Sequence, residues 1–154
     1  MVLHFWSMNR LKFSRIVLSA LLVTSTVASF ILDWKPNHLL NPDWHPHARF
    51  HGGLLLFTLA GVAATALWLL WRRSPEPLLG IRAAGLLLLA YWTPLFYVNS
   101  LVPGSSLWAG PRGQEPRWGD AIVYPNLIVA ALFVIATIMA TWIGQTTERT
   151  RTEP

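Results

Sequence analysis

Four of the five histidines fall between positions 38 and 51, in the run Asp33-Trp34-Lys35-Pro36-Asn37-His38-Leu39-Leu40-Asn41-Pro42-Asp43-Trp44-His45-Pro46-His47-Ala48-Arg49-Phe50-His51. Pro46 suits the first position of a helix, where its missing N–H has no helical partner, and it biases His45 away from helix. A helix starting there places His47 and His51 one turn apart on the same face. Two imidazoles at that spacing can reach one ion, with a third ligand from His38, Asp33 or Asp43. Histidine with carboxylate suits Zn or non-haem Fe better than Ca or Mg. Without metal, His47, His51 and Asp33 are candidates for acid–base work, because imidazole titrates near neutral pH. A plainer reading stands beside both: polar residues at a helix start often only cap, hydrogen-bond and anchor. The motif HxxxH is weak alone, and no glutamate completes the zincin pattern HExxH. Arg49, about 200° around the helix from His51, points elsewhere, toward headgroups, Asp33 or Asp43.

A second set of polar residues borders segment 99–120. Tyr97, Asn99, Tyr124 and Asn126 could donate or accept hydrogen bonds to a ligand, with Arg49 and His38 the further ligand-binding candidates, and the segment 99–120 holds four glycines and three prolines. It exceeds the usual 2 to 8 residues between bundle helices, which favours a lid or an interaction surface. The alternative is a loop resting on headgroups through Trp108 and Trp118.

The elements that must position these groups are transmembrane. The chain has 154 residues, 53% hydrophobic and only 12% charged, where soluble chains carry about a quarter charged. Apolar blocks at 16–32, 50–71, 78–98 and 122–143 are each close to the roughly 20 residues that cross a hydrocarbon core. The expected fold is all-α, a single four-helix membrane domain over residues 1–145 with a long outer loop between the third and fourth helices and a disordered tail from 146. Arg10, Lys12 and Arg15 flank the first block, and Arg72, Arg73 and Arg82 surround the second connection. Segments 33–49 and 99–120 balance their charges: Asp33 and Asp43 against Lys35 and Arg49, Glu115 and Asp120 against Arg112 and Arg117. Basic loops stay in the cytoplasm, so both termini are expected there, in the inner membrane if the cell is bacterial. Tryptophan agrees: Trp34, Trp44, Trp108 and Trp118 fall at the outer interface, and Trp68, Trp71 and Trp142 at the inner one. Trp6 suits the inner interface too, and only Trp92 lies within a span. Val27-Ala28-Ser29 could end a signal peptide, but the apolar run continues through Phe30-Ile31-Leu32 to Trp34, which suits a retained anchor.

A formal charge of +5 does not point to nucleic acid, because the basic residues sit at the ends of apolar blocks. The absence of cysteine excludes disulfides and thiolate sites.

Helices in lipid approach closely through small residues and buried polar groups. Gly53 and Gly61 with Ala60 and Ala64 are the expected contacts of the second span, and Gly80, Ala83, Ala84 and Gly85 those of the third. Pro94 is expected to kink the third helix. Three lines at helical spacing are expected to look into the bundle: Ser19, Leu22, Thr26, Ser29 and Asp33; His47, His51, Thr58, Gly61 and Thr65; Asn126, Ala130, Phe133, Thr137 and Thr141.

The residues Asp33-Trp34, Asn37-His38, Asn41-Pro42, Trp44 and Pro46-His47-Ala48-Arg49-Phe50-His51 resemble a family of small four-helix membrane proteins of unknown function. Its members carry a W-x-P-H-A-R-F-H-like motif after the first span, and Pro103-Gly104-Ser105 resembles its second loop motif. The resemblance covers these two stretches and implies the four-span fold and a shared outer site. It supplies no reaction. Two classes of function follow: an enzyme or binder using the outer histidines on a lipidic small molecule, or a noncatalytic accessory subunit of a larger membrane complex. Histidine could ligate a pigment or haem in such a complex, though no motif demands it. A transporter is disfavoured, since the spans lack acidic residues and show no internal repeat.

Overall fold

The computed structural model of the protein describes residues 2–111 and 113–152, with side chains from Arg10 to Thr146 apart from Arg112. Arg112, the side chain of Trp6 and the side chains of the tail from 147 onward lie outside the described residues. Four long helices dominate: α1 (Val2–Asp33), α2 (Pro46–Trp71), α3 (Pro77–Trp92) and α5 (Pro125–Thr152). Four stretches, Arg10–Asp33, Pro46–Trp71, Pro77–Phe96 (which runs past the end of α3) and Pro125–Thr146, are long and apolar enough to cross a membrane. The α-helix continues to Thr152, through most of the segment expected as a disordered tail.

Proline sets the starts. Pro46, Pro77 and Pro125 each open a helix, where the fixed φ is already helical and no N–H is wasted. Pro94 acts differently. The α-helical part of the third span stops at Trp92, and Thr93–Phe96 tightens into a 3₁₀ turn before the short α4 (Val98–Leu101). A proline inside a helix cannot donate to the preceding turn, and Thr93 ties its hydroxyl back to the Leu89 carbonyl at 2.8 Å. The long loop then forms a small antiparallel hairpin of β1 (Arg117–Trp118) and β2 (Ala121–Ile122). That pairing delays α5 to Pro125, three residues past its expected start.

The helices do not pack as a square. α1 and α3 each contact both α2 and α5 and also touch across the diagonal, whereas among the described residues α2 and α5 do not pack on each other. Leu18, Leu22, Ala63, Ala66, Leu70, Ile81, Ala84, Leu88 and Trp92 form the core with Ala130 and Ala140. Phe13, Ile16, Val27, Leu55, Phe57, Leu86, Leu132 and Ile135 are exposed, the apolar girdle expected of helices that face lipid.

Several polar groups inside the bundle are paired between helices, whereas the buried hydroxyls of Thr137 and Thr141 have no hydrogen-bond partner among the described residues. Ser14 donates to the Ala140 carbonyl at 2.8 Å, Trp92 Nε1 donates to Ser25 Oγ at 2.9 Å, and Ser29 Oγ meets the Tyr91 hydroxyl at 2.6 Å. Trp92 also stacks on Phe133 at 4.4 Å. On α1, Leu22 and Ser29 are buried as expected, but Ser14, Leu18 and Ser25 complete that face. Ser19 instead accepts from Trp71 Nε1 at 2.9 Å, and Thr26 bonds back to Leu22 of its own helix. On α5, Ala130 and Thr137 are fully buried, in line with the expected inward face.

The second span departs from expectation. His47, His51, Thr58, Gly61 and Thr65 are all exposed, and the buried face is Leu56, Leu59, Ala63, Ala66 and Leu70. A Cβ added at Gly53 or Gly61 would meet nothing within 4 Å. Neither glycine is a packing contact. Close approaches include Gly80, where a Cβ would collide with the Leu69 backbone carbonyl, and Gly52, where it would stand 2.7 Å from Leu39 Cδ1. The first seats α3 against the end of α2, and the second lets the linker after α1 fold Leu39 into the bundle. Gly85 is likewise pressed against the Thr141 side chain, as expected for the third span, and Gly144 against Ser14 and Ile81.

Candidate functional site

The four described histidines lie at the end of the bundle where α1 stops and α2 starts. Asp33 closes α1, and its carbonyl accepts from the N–H groups of Lys35 and Leu39 at 2.8 and 3.0 Å. This turns the chain back on itself and brings His38 Nε2 to 3.6 Å from Asp33 Oδ1, both side chains being more than one-third exposed. The His38 ring also tilts against Trp44 at 5.2 Å. Asn41 then makes a turn by accepting the Asp43 N–H on its side chain at 2.9 Å. A side-chain acceptor two residues before a backbone donor is the local geometry that an Asn-Pro-Asp sequence favours.

His45 has a definite role. It caps α2, its Nδ1 accepting the His47 N–H at 3.2 Å. That nitrogen must be unprotonated to accept, so the cap holds His45 in one tautomer. With the helix started, His47 Nε2 and His51 Nε2 come to 3.0 Å, with ring centroids 4.5 Å apart and the rings nearly perpendicular. In the neutral pair one Nε2 donates and the other accepts, which leaves one outward Nδ1 as an acceptor and the other as a donor. Phe50 packs against both rings, at 6.0 Å from His47 and 5.4 Å from His51. The pair is exposed on α2, facing away from the core.

The candidate ligands therefore separate into two pairs, Asp33 with His38 and His47 with His51. Among the described residues no three histidine or carboxylate groups converge as a metal set. The expected trio of His47, His51 and His38 is not brought together. The reason is local: His38 is turned toward Asp33 and Trp44 at the close of α1, while His47 and His51 stand on the outward side of α2. Two nitrogens bound to zinc at about 2.0–2.1 Å in tetrahedral geometry stand about 3.3 Å apart. His47 and His51 could thus be two ligands of one Zn or Fe ion after opening slightly, with the remaining ligands from elsewhere.

Arg49 is half-buried and, among the described residues, makes no ion pair with Asp33 or Asp43. The residues around the long loop mainly hold that loop. Asn99 Oδ1 accepts from Ser105 Oγ at 2.9 Å, and Asn126 Nδ2 donates to the Leu107 carbonyl at 2.9 Å. Trp108 Nε1 closes a turn on the Pro111 carbonyl at 3.0 Å. The N–H groups of Glu115 itself and of Gly113 hold the Glu115 carboxylate below the usual range. Tyr97 is half-exposed and Tyr124 half-buried. Among the described residues neither α4 nor the hairpin packs on α2, so these parts of the loop do not cover the histidine pair. Sequence reasoning passed over Ser25, Tyr91 and Ser14. A signal for Ser25 and Ser14 exists, since Ser14, Leu18, Leu22, Ser25 and Ser29 recur at spacings of three and four.

A family model described as a family of unknown function (DUF6640) matches residues 17–152. No curated protein and no solved structure matches the chain.

Proposed function

The chain belongs to the DUF6640 family, whose function is unknown, and we propose that it is an integral membrane protein whose outer end binds a lipidic small molecule at the His47–His51 pair. The observation that carries this reading is the 3.0 Å contact between the two Nε2 atoms on an exposed helix face. A donor and an acceptor nitrogen, held one turn apart beside the apolar ring of Phe50, suit a molecule with a polar head and an apolar body. Such a molecule reaches the pair sideways from the bilayer and needs no enclosed cavity. The same pair can pass a proton between its rings, which is the acid–base capacity an enzyme at this site would use. Asp33 and His38 form a second polar pair at the same end, within the reach of a headgroup.

In the proposed orientation both termini and the Arg72–Arg73 connection are cytoplasmic, following the excess of basic residues there. A reporter fused after Trp71 is expected to read cytoplasmic and one within 105–115 external. An external signal from 72–77 overturns the orientation.

One observation favours the accessory-subunit reading. Thr58, Gly61 and Thr65 line the outward face of α2 with open space above Gly61, as a helix of a larger membrane complex would require. The two readings part in one experiment, lipid analysis by mass spectrometry of the detergent-purified protein alongside its native migration. The binding reading expects a co-purifying lipidic species that is lost in the double variant His47→Gln, His51→Gln and kept in Gly61→Leu. If the species survives the histidine changes while Gly61→Leu releases the chain from a larger assembly, the accessory reading replaces it.

A further inference from the structure

At the opposite end of the bundle, basic residues crowd together. Arg10, Lys12 and Arg15 lie near the start of the first span, Arg72 and Arg73 follow α2, and Arg82 stands in the second turn of α3, with Glu76 the acidic residue of this connection. Arg82 lies about 7 Å along the helix axis from Pro77, inside the apolar stretch. It is exposed, and among the described residues it makes no ion pair within 4.0 Å and no hydrogen bond. Glu76 borders a smaller hollow with it, of about 240 Å³, yet does not bond to it.

Arg82 stands at the mouth of a groove of about 440 Å³ between α3 and α5. Gln145 is the other polar residue of the mouth, and Gly85, Leu86, Leu89, Ile138 and Trp142 line the rest together with one hydroxyl-bearing residue, Thr141. The helices run antiparallel, so the polar pair sits at the end of the bundle and the apolar walls extend inward. From Arg82 to Leu89 the groove follows α3 for about 10 Å. An unpaired guanidinium above an apolar channel is complementary in charge and shape to a phosphate above an acyl chain. Arginine presents forked donors that match phosphate oxygens, and basic pockets between membrane helices bind anionic headgroups.

We propose that this groove seats an anionic phospholipid, its phosphate on Arg82 and one acyl chain between Leu86, Leu89 and Ile138. The site lies at the other end of the molecule from the histidine pair and stands independently of that reading.

The test is native mass spectrometry of the full chain in detergent, with phosphatidylglycerol or phosphatidylcholine added. Phosphatidylglycerol should be retained in preference to phosphatidylcholine, and free inorganic phosphate should not displace it. Arg82→Gln should lower its retention about fivefold, whereas Arg82→Lys should keep most of it and Arg73→Gln should leave it unchanged. Leu86→Trp keeps the charge but fills the groove from its exposed wall, and should lower retention as well, which covers the case of a misfolded Arg82→Gln. Equal retention of the two lipids overturns the proposal. So does an equal loss in Arg73→Gln, which marks a diffuse field, or unchanged retention in Leu86→Trp.

Discussion

Helices α1 and α2 carry similar patterns of small and polar residues, yet they use them in opposite ways. On α1, Ser14, Ser25 and Ser29 are buried and each meets a group on another helix. On α2, Thr58, Gly61 and Thr65 face outward, and Thr65 satisfies its hydroxyl on the Gly61 carbonyl of its own helix at 2.9 Å. A polar stripe at helical spacing does not itself say which way it looks. On α1 it looks inward where a neighbour offers a complementary donor or acceptor, as Trp92 and Tyr91 do, whereas Thr137 of α5 is buried with no such partner among the described residues. Where a hydroxyl can bond back one turn, facing lipid costs little. The glycines divide in the same way: Gly80 is pressed against α2, and Gly61 has open space above it.

The strongest way to break this comparison is at Gly80. A methyl there would collide with the Leu69 carbonyl and stand 3.3 Å from Leu70 Cα. Backbone cannot yield as a flexible side chain can, so Gly80→Ala is expected to destabilise the bundle by about 3 kcal/mol, read as the unfolding midpoint in detergent. A wild-type midpoint would mean that α2 and α3 can part at this point without loss. Next in size is Ser25→Ala, which leaves the Trp92 N–H without its acceptor in the core. A loss of about 1 kcal/mol is expected, with a shift in tryptophan fluorescence as a second readout. Gly61→Ala should move the other way, stabilising α2 by roughly 0.5–1 kcal/mol because alanine restricts the unfolded chain and fills empty space. Destabilisation there would show that the outward face is occupied by a partner. Smallest of all, Thr65→Ala should stay within about 0.5 kcal/mol, since its hydroxyl serves only its own helix.

Much of the histidine end is legible in the amino-acid sequence. Pro46 marks the start of α2, and the spacing of His47 and His51 puts their rings on one face. Both follow from single-residue stereochemistry, and the fold adds the distance. The role of His45 is less visible, because capping by a histidine depends on the backbone turn made by Asn41, Pro42 and Asp43. The separation of His38 from His47 and His51 is not legible at all. It depends on Leu39 folding into the bundle beside Gly52, a contact across a linker whose path no periodicity encodes. The groove at Arg82 is likewise a product of two helices, and residues 138–145 lie far from 82 in sequence.

The sequence by itself determined the four spans, their approximate limits and the clustering of charge at one end and histidine at the other. Those follow from the length of apolar blocks and from the cost of burying charge in hydrocarbon, which act on each segment alone. Only the tertiary structure decided which face of each helix looks inward. In water a helix turns its apolar side to the core, but in lipid both core and surroundings are apolar, so hydropathy gives no direction. Direction came instead from complementary contacts, Ser25 with Trp92, Ser29 with Tyr91 and Gly80 with Leu69. Because α2 found its contacts through Leu59, Ala63, Ala66 and Leu70, its histidine face was left pointing outward.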